Sequence, residues 1–457
     1  MRASVMVCAA GLLVFSGAAL ADARVGAGEW AAARGLPVGA TATFARLPLG
    51  TARSGPVRMQ RIDIYAADAK IFEATADGLR ELPRSDWLHF IADPSVPGAP
   101  RMGLSLSADG SEATGLVIAD DGRTLAISGQ RGADGLLLEA HDASRDAEGN
   151  PAMFACDNHK LAWQHLGMPQ ATAATVAAPD PGPQVATRTA TVAVDTDNEL
   201  LNLKFGNNTT SASNYLAQLF TGMNVIYERD LDLRLLQGTT ILRVSTTPDP
   251  WATGIGADTG DQLDEFGAFW QANQGAVSRA FAMLLSGKSS NPNSSAGIAW
   301  VLGGGNYCTS TNANGGHYSV SQVFRFAGSN ATHDLLVIAH ELGHNFGANH
   351  THCSNSSTGA GTTASNTIDQ CFNGEAAFGC FGGSQVCPAP ATVNGVAGVT
   401  GTLMSYCHLS GLPNCDSSEV FATAHRTLLN PRVANNVTNG CFAPIAAGNN
   451  IFANGFE

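Results

Sequence analysis

The stretch that most constrains this chain is His340-Glu341-Leu342-Gly343-His344-Asn345-Phe346-Gly347-Ala348-Asn349-His350. It reads H-E-x-x-H-x-x-G-x-x-H, and each fixed position has a physical role. On a helix, His340 and His344 lie four residues apart and project from one face. Neutral imidazole nitrogens suit Zn²⁺, and three protein ligands leave a fourth position for water. Glu341 sits beside the first ligand, where its carboxylate can take a proton from that water. Gly347 has no Cβ, so it can turn the chain at positive φ and bring His350 back to the same ion. With 12 His in 457 residues, H-E-x-x-H alone would arise in roughly one such chain per hundred, and the added Gly347 and His350 lower that to about a few in a hundred thousand. An ordinary amphipathic helix that happens to hold histidines is a poor account of the pattern.

The surrounding residues predict the helix. Thr332 is the expected N-cap, Asp334 places an anion in the first turn, and Leu335-Leu336-Val337-Ile338-Ala339 forms an apolar body. Leu335, Ile338, Leu342 and Phe346 recur at helical spacing and should face the core.

At the N-terminus, Arg2 precedes an apolar run from about Val5 to Leu20 that ends in Ala19-Leu20-Ala21. This reads as a secretory signal over 1–21, too short and poorly flanked for a membrane anchor. About 435 residues would remain, enough for two or three domains. The net charge of −13 argues against nucleic acid as a partner, because a phosphate-binding surface needs clustered Lys and Arg. Protein or peptide substrates, a monomeric state and secretion into the extracellular space are expected.

Cys8 falls inside the signal, which leaves nine cysteines. Cys308, Cys353, Cys371, Cys380, Cys387, Cys407, Cys415 and Cys441 flank or follow the zinc pattern, an even set consistent with four disulfides in an oxidising compartment. Eight cysteines allow 105 pairings, so spacing does not choose among them. The ninth, Cys156, stands alone in the N-terminal half. Its thiolate could fill the fourth zinc position and exclude water, it could be a plain buried thiol, or it could pair between molecules.

Residues 22–168 show strand-like alternation at Val57–Tyr65 and β-type runs around Met102–Leu106, Thr114–Ile118 and Leu136–Leu138, which predicts a small β-rich domain. The Ala/Thr/Pro tract within 169–189 reads as an exposed linker and a maturation site. A second unit over 190–443 begins with strand Ala190–Asp195. A helix follows from about Ser213, then a strand within Leu231–Thr247, a helix near Gln262–Leu285, and strands at Gly297–Leu302 and Ser319–Phe324 ahead of the zinc helix. Residues 444–457 form a short tail. The acidic Asp195-Thr196-Asp197 leaves room for a structural Ca²⁺.

The extended zinc pattern resembles that of the metzincin zinc endopeptidases, and Met404 in Leu403-Met404-Ser405-Tyr406 resembles their Met-turn. The element order resembles the reprolysin (adamalysin) branch and its secreted bacterial members over roughly 190–443. The resemblance implies an α/β (α+β) metzincin catalytic domain: a twisted, mostly parallel sheet with an active-site helix and a Met-turn, preceded by a β-rich propeptide domain. It also implies one catalytic Zn²⁺ on His340, His344 and His350, with Glu341 as the proton-transferring residue. Gly297–Val301 would be an edge strand on which substrate pairs antiparallel, Cys308 would pair with Cys441, and the chain's own propeptide would be an inhibitor acting through Cys156 as a cysteine switch. Tyr406 matches a tyrosine that astacin- and serralysin-like members use as a zinc ligand or oxyanion partner; a buried structural tyrosine is the alternative. The chain departs from the branch at Thr351-His352-Cys353, where animal members carry Asp, and in the long Gly/Ser/Thr/Ala-rich stretch 354–400. His352 is expected to be a solvated loop histidine, with a spare metal contact as the alternative, and His408 and His425 structural ones. The function implied is a secreted zinc endopeptidase made as a latent precursor. A non-catalytic zinc-containing adhesion or binding protein and a zinc hydrolase of a non-protein polymer are the alternatives.

Overall fold

A computed structural model of the chain describes residues 23–143, 156, 186–251, 260–288, 296–301, 307–308, 317–325, 331–361 and 363–445. The expected signal over 1–21, residues 169–185 of the expected linker and the stretch beyond 445 lie outside the described residues.

The first unit comprises β1 (Arg24–Gly26), α1 (Ala27–Gly35), β2 (Thr41–Pro48), β3 (Ser54–Ile62), β4 (Ile71–Thr75), β5 (Gly78–Leu82), β6 (Leu88–Ala92), β7 (Arg101–Leu106), β8 (Glu112–Ile118), β9 (Thr124–Gly132) and β10 (Gly135–Asp142). Eight of these strands close into an antiparallel barrel in the order β1-β10-β9-β8-β7-β6-β3-β2. Period-two alternation explains β10: Leu136, Leu138 and Ala140 point inward while Leu137 is 56% exposed. Phe44, Met59, Phe90, Leu104 and Ile127 fill the interior. β6 and β7 break the alternation, being buried at every residue, so something covers the outside of the barrel there.

The second unit runs β11 (Arg188–Thr196), α2 (Thr209–Leu231), β12 (Leu233–Arg243), α3 (Gly260–Asn273), β13 (Phe281–Ser286), β14 (Gly297–Ala299), β15 (Tyr318–Gln322), α4 (Thr332–Phe346), β16 (Ala391–Val393), β17 (Val396–Val399), α5 (Thr423–Thr438) and β18 (Ala443–Pro444). Its main sheet has the order β14-β15-β13-β11-β12-β4-β5, with β18 against the start of β11. The inner pairings are parallel, and β14, β5 and β18 join antiparallel. Successive residues of β11 feed opposite cores. Val192 and Val194 meet α2 and α4 on one face, and Ala193 meets Phe266 and Trp270 of α3 on the other. The mixed sheet with helices on both faces follows from that alternation.

Three local expectations are corrected. The helix near 262–285 stops at Asn273, and Phe281–Ser286 is a central strand; this run is apolar throughout because both sheet faces are covered, a pattern that periodicity cannot tell from a buried helix. Thr332 is the first helical residue rather than the cap, and its hydroxyl donates to the Gly115 carbonyl of the barrel. The aspartates of 195–197 are committed internally. Asp195 accepts both guanidinium bonds of Arg243 and the Trp270 Nε1–H, and Asp197 accepts the Leu200 and Gly287 N–H groups and the Ser286 hydroxyl. Burial pushes the Asp197 carboxyl up to about 6. These carboxylates serve the fold and are not arranged to receive calcium.

Candidate metal centre

Helix α4 carries His340, Glu341 and His344 on a buried face, held to the sheet by Asn345, whose side-chain amide donates to the Trp300 and Tyr318 carbonyls. Gly347 ends the helix at φ 102°, in the left-handed region, and the chain doubles back to His350.

The tautomers decide what the three histidines can do. His340 Nδ1 lies 2.8 Å from the Leu403 carbonyl and His344 Nδ1 lies 2.7 Å from the Ala348 carbonyl; a carbonyl only accepts, so each Nδ1 carries the proton. His350 Nδ1 donates to the Glu375 carboxylate at 2.9 Å. All three Nε2 atoms therefore present lone pairs, yet His344 Nε2 is 3.1 Å from His340 Nε2 and 3.2 Å from His350 Nε2. Lone pairs converging this closely repel unless a cation lies between them. A tetrahedral zinc with its usual bond lengths spaces ligand nitrogens by about 3.3 Å, so the residues fit the ion. Burial holds the His340 and His344 imidazoles well below their ordinary range, in the neutral form that ligates.

Residues 186–394 match the family model Reprolysin_5, metallo-peptidase family M12. This part of the chain is similar to the metallopeptidases of that family. No curated protein matches the chain. Among solved structures, metalloproteinase-II from Bacteroides fragilis is 12% identical, with 74% of this chain and 90% of that chain covered and a TM-score of 0.38, a distance at which the likeness says nothing about the site.

Just beyond the matched residues, Leu403 and Met404 occupy the middle of a turn closed by Ser405 N–H to the Thr402 carbonyl at 2.9 Å. Leu403 holds His340 through its carbonyl, and the Met404 carbonyl accepts the Thr351 N–H just beyond His350. The Met404 sulfur lies against Gly343, where a Cβ would come within 2.6 Å of it. One turn thus braces both ends of the ligand set.

Sequence reasoning missed Glu375. It comes from the Gly/Ser/Thr-rich stretch, offers no recognisable spacing, and is buried beneath His350. One of its oxygens accepts from His350 Nδ1 and, at 3.0 Å, from His352 Nε2. A carboxylate behind a ligating imidazole fixes its ring and raises its basicity. His352 is accordingly not a solvated loop histidine: it is fully buried, with its ring stacked on His350 at 5.3 Å. His425 is also buried, with Nε2 3.0 Å from the Ser354 hydroxyl, and His408 pairs with the Ser417 hydroxyl at 2.8 Å.

The eight cysteines of the domain form the disulfides Cys308–Cys441, Cys353–Cys380, Cys371–Cys407 and Cys387–Cys415. The second and third tie the Glu375 segment to the 3-10 turn after His350 and to the residue after Tyr406. Cys156 is a buried thiol outside these disulfides, and its sulfur joins His340, His344 and His350 in a cluster whose ligand atoms all lie within 4.8 Å. It also lies 3.3 Å from a Glu341 oxygen. The Tyr406 hydroxyl bonds the Cys156 backbone, and Cys156 forms a parallel bridge with Gly297 at the start of β14. That direction is opposite to the antiparallel pairing expected of a substrate on this strand. Gly297 is needed for space, since a Cβ there would lie 2.4 Å from the Glu341 carboxylate.

Proposed function

We propose that the chain is an exported zinc endopeptidase of the metzincin type, made as a latent precursor in which Cys156 blocks the metal. The observation that carries this reading is the convergence of three imidazole lone pairs with Glu341 beside them and the Cys156 sulfur as the fourth donor.

When bound by His340, His344 and His350, zinc supplies Lewis acidity for a water and for the scissile carbonyl. Glu341 accepts a proton from the attacking water as its oxygen bonds to the carbonyl carbon. It then delivers that proton to the nitrogen as the C–N bond breaks, which leaves a carboxylic acid and an amine. β14 offers the edge on which an extended peptide pairs. Met404 supports the ligand set from beneath, as a Met-turn residue would. The Tyr406 hydroxyl, once clear of Cys156, is free to donate to the oxygen on which charge develops.

In the precursor, Cys156 excludes water from the metal and itself sits on the substrate edge at Gly297. Cutting between about 169 and 189 begins maturation. The four disulfides support export to an oxidising compartment, in keeping with a signal over 1–21. The test is casein hydrolysis by matured protein beside Glu341→Ala, with zinc measured in both. Cleavage by the first, with zinc but no cleavage in the second, is expected. Zinc in both with no cleavage of casein, gelatin or peptides would transfer the reading to a binding protein or a hydrolase of another polymer.

A further inference from the structure

The N-terminal half occupies both edges of the metallopeptidase sheet, in two very different ways. At the active-site edge, among the described residues, it contributes a bridge between Cys156 and Gly297. At the far edge, β4 pairs parallel with β12 from Thr240↔Ile71 to Arg243↔Ala74, and β5 continues the sheet beyond it. The preceding chain adds to the same edge, with Gln237 N–H bonded to the Ile64 carbonyl at 2.6 Å and Ala66 N–H to the Gln237 carbonyl at 3.0 Å.

Helix α2 is sealed between this sheet and the barrel, with 18 of its 23 residues buried. The barrel's outward-facing Ile62, Ile91, Leu116 and Ile118 belong to the same apolar core as Leu216, Phe220 and Met223 of α2. Gly103 on β7 allows the close approach, since a Cβ there would sit 2.9 Å from the Val225 side chain. Arg101 of the barrel reaches through this core to Asp230 at 2.6 Å, a pair almost wholly removed from water. Asp230 in turn accepts the Phe421 N–H at 2.7 Å, next to Val420, whose carbonyl holds the turn at Leu403. A buried charge whose partner is withdrawn is strongly destabilising, and an uncovered strand edge is a template for aggregation.

We infer that residues 23–143 are a permanent subunit of the protease, remaining bound to the metallopeptidase domain after the connecting chain is cut, and that the stretch bearing Cys156 is a removable plug. Among the described residues the stretch adds one bridge, at Cys156, and a contact of that kind depends on its covalent tether for its effective concentration. A shared core, a buried ion pair and an added pair of strands do not. Cuts on both sides of Cys156 therefore free the plug and leave a two-chain enzyme. The retention rests on the interface alone; the claim that the plug silences the enzyme rests on the function proposed above.

The experiment inserts a recognition sequence for a site-specific protease after Gly149 and a second after Pro179 in the full-length protein. After cleavage, the sample is separated by gel filtration in native buffer, the fractions are weighed by native mass spectrometry, and casein hydrolysis is assayed in each. Separation in guanidinium confirms that both cuts are complete. The expected result is one native peak holding the N-terminal and metallopeptidase fragments at 1:1, without the Cys156 peptide, and carrying the casein activity. A metallopeptidase fragment that elutes alone, folded and active, would overturn the inference, and so would one that aggregates while a soluble N-terminal fragment separates from it. A 1:1 complex that lacks the plug and is silent on casein upholds the retained subunit and counts against the proposed function instead.

Discussion

The Tyr406 hydroxyl accepts the Cys156 N–H at 2.7 Å and donates to the Cys156 carbonyl at 2.9 Å, so one phenol grips both backbone groups of the residue whose thiol reaches the metal site. Its ring lies over His350 at 4.3 Å, and burial raises its pKa well above the ordinary value, which keeps the phenol protonated and able to do both. Recognition of Cys156 is therefore built into the same scaffold that holds the ligands.

Tyr406→Phe removes both bonds and leaves the ring. Two neutral hydrogen bonds contribute about 1–3 kcal/mol together, so the blocked state should open roughly five- to 150-fold more often. The rate of Cys156 alkylation by iodoacetamide in the uncut, zinc-loaded precursor measures this. An unchanged rate at unchanged thermal stability would show that the clamp does not hold the switch.

Glu375→Gln keeps the shape beneath His350 and removes the charge. Loss of a carboxylate behind a metal ligand typically costs 10- to 100-fold in affinity. Competition with a chelator, together with the visible spectrum of the cobalt-substituted protein, should report weaker binding and an altered ligand field. If both match the wild type, Glu375 is packing and does not position His350.

Gly297→Ala presses a methyl group on the Glu341 carboxylate, its nearest neighbour. A displacement on the order of 1 Å in a reacting group can lower turnover about a hundredfold. The expected signature is a fall in kcat of matured enzyme with zinc content retained. A drop confined to KM would instead mean that the methyl group obstructs the substrate edge.

Glu419 gives the precursor a pH dependence. Burial pushes its carboxyl up to about 7 from an ordinary 4.5, and the Thr124 hydroxyl of the barrel bonds to it. Because the folded value is raised, its contribution is complete below 4.5, declines above that pH and is gone once pH passes about 7, a change of up to about 3 kcal/mol. Melting of the precursor should fall from pH 5 to pH 8 more steeply in wild type than in Glu419→Gln. Parallel profiles would remove Glu419 from the interface account.

Much of the site was legible because its chemistry is local. His340, Glu341 and His344 share one helical face, Gly347 supplies the left-handed turn, and His350 follows within three residues, so helical periodicity and backbone sterics suffice. The Cys308–Cys441 pairing came only through family resemblance, since spacing leaves every combination open. The helix drawn over 281–285 failed for a physical reason: a strand covered on both faces has no periodicity to read.

By itself the sequence determined which side chains can meet on one metal ion, where the zinc helix ends, and that eight cysteines cluster around it while a ninth stands apart. Only the tertiary structure decided what stands behind and across from them. Glu375 reaches His350 through a loop folded by disulfides, Tyr406 and Gly297 meet Cys156 across the site, and Arg101 finds Asp230 in a core shared by barrel and helix. Those contacts join residues 25 to 250 positions apart. At such separations no short-range pattern constrains a partner, and the choice falls to how sheet, helix and barrel bury their surfaces against one another.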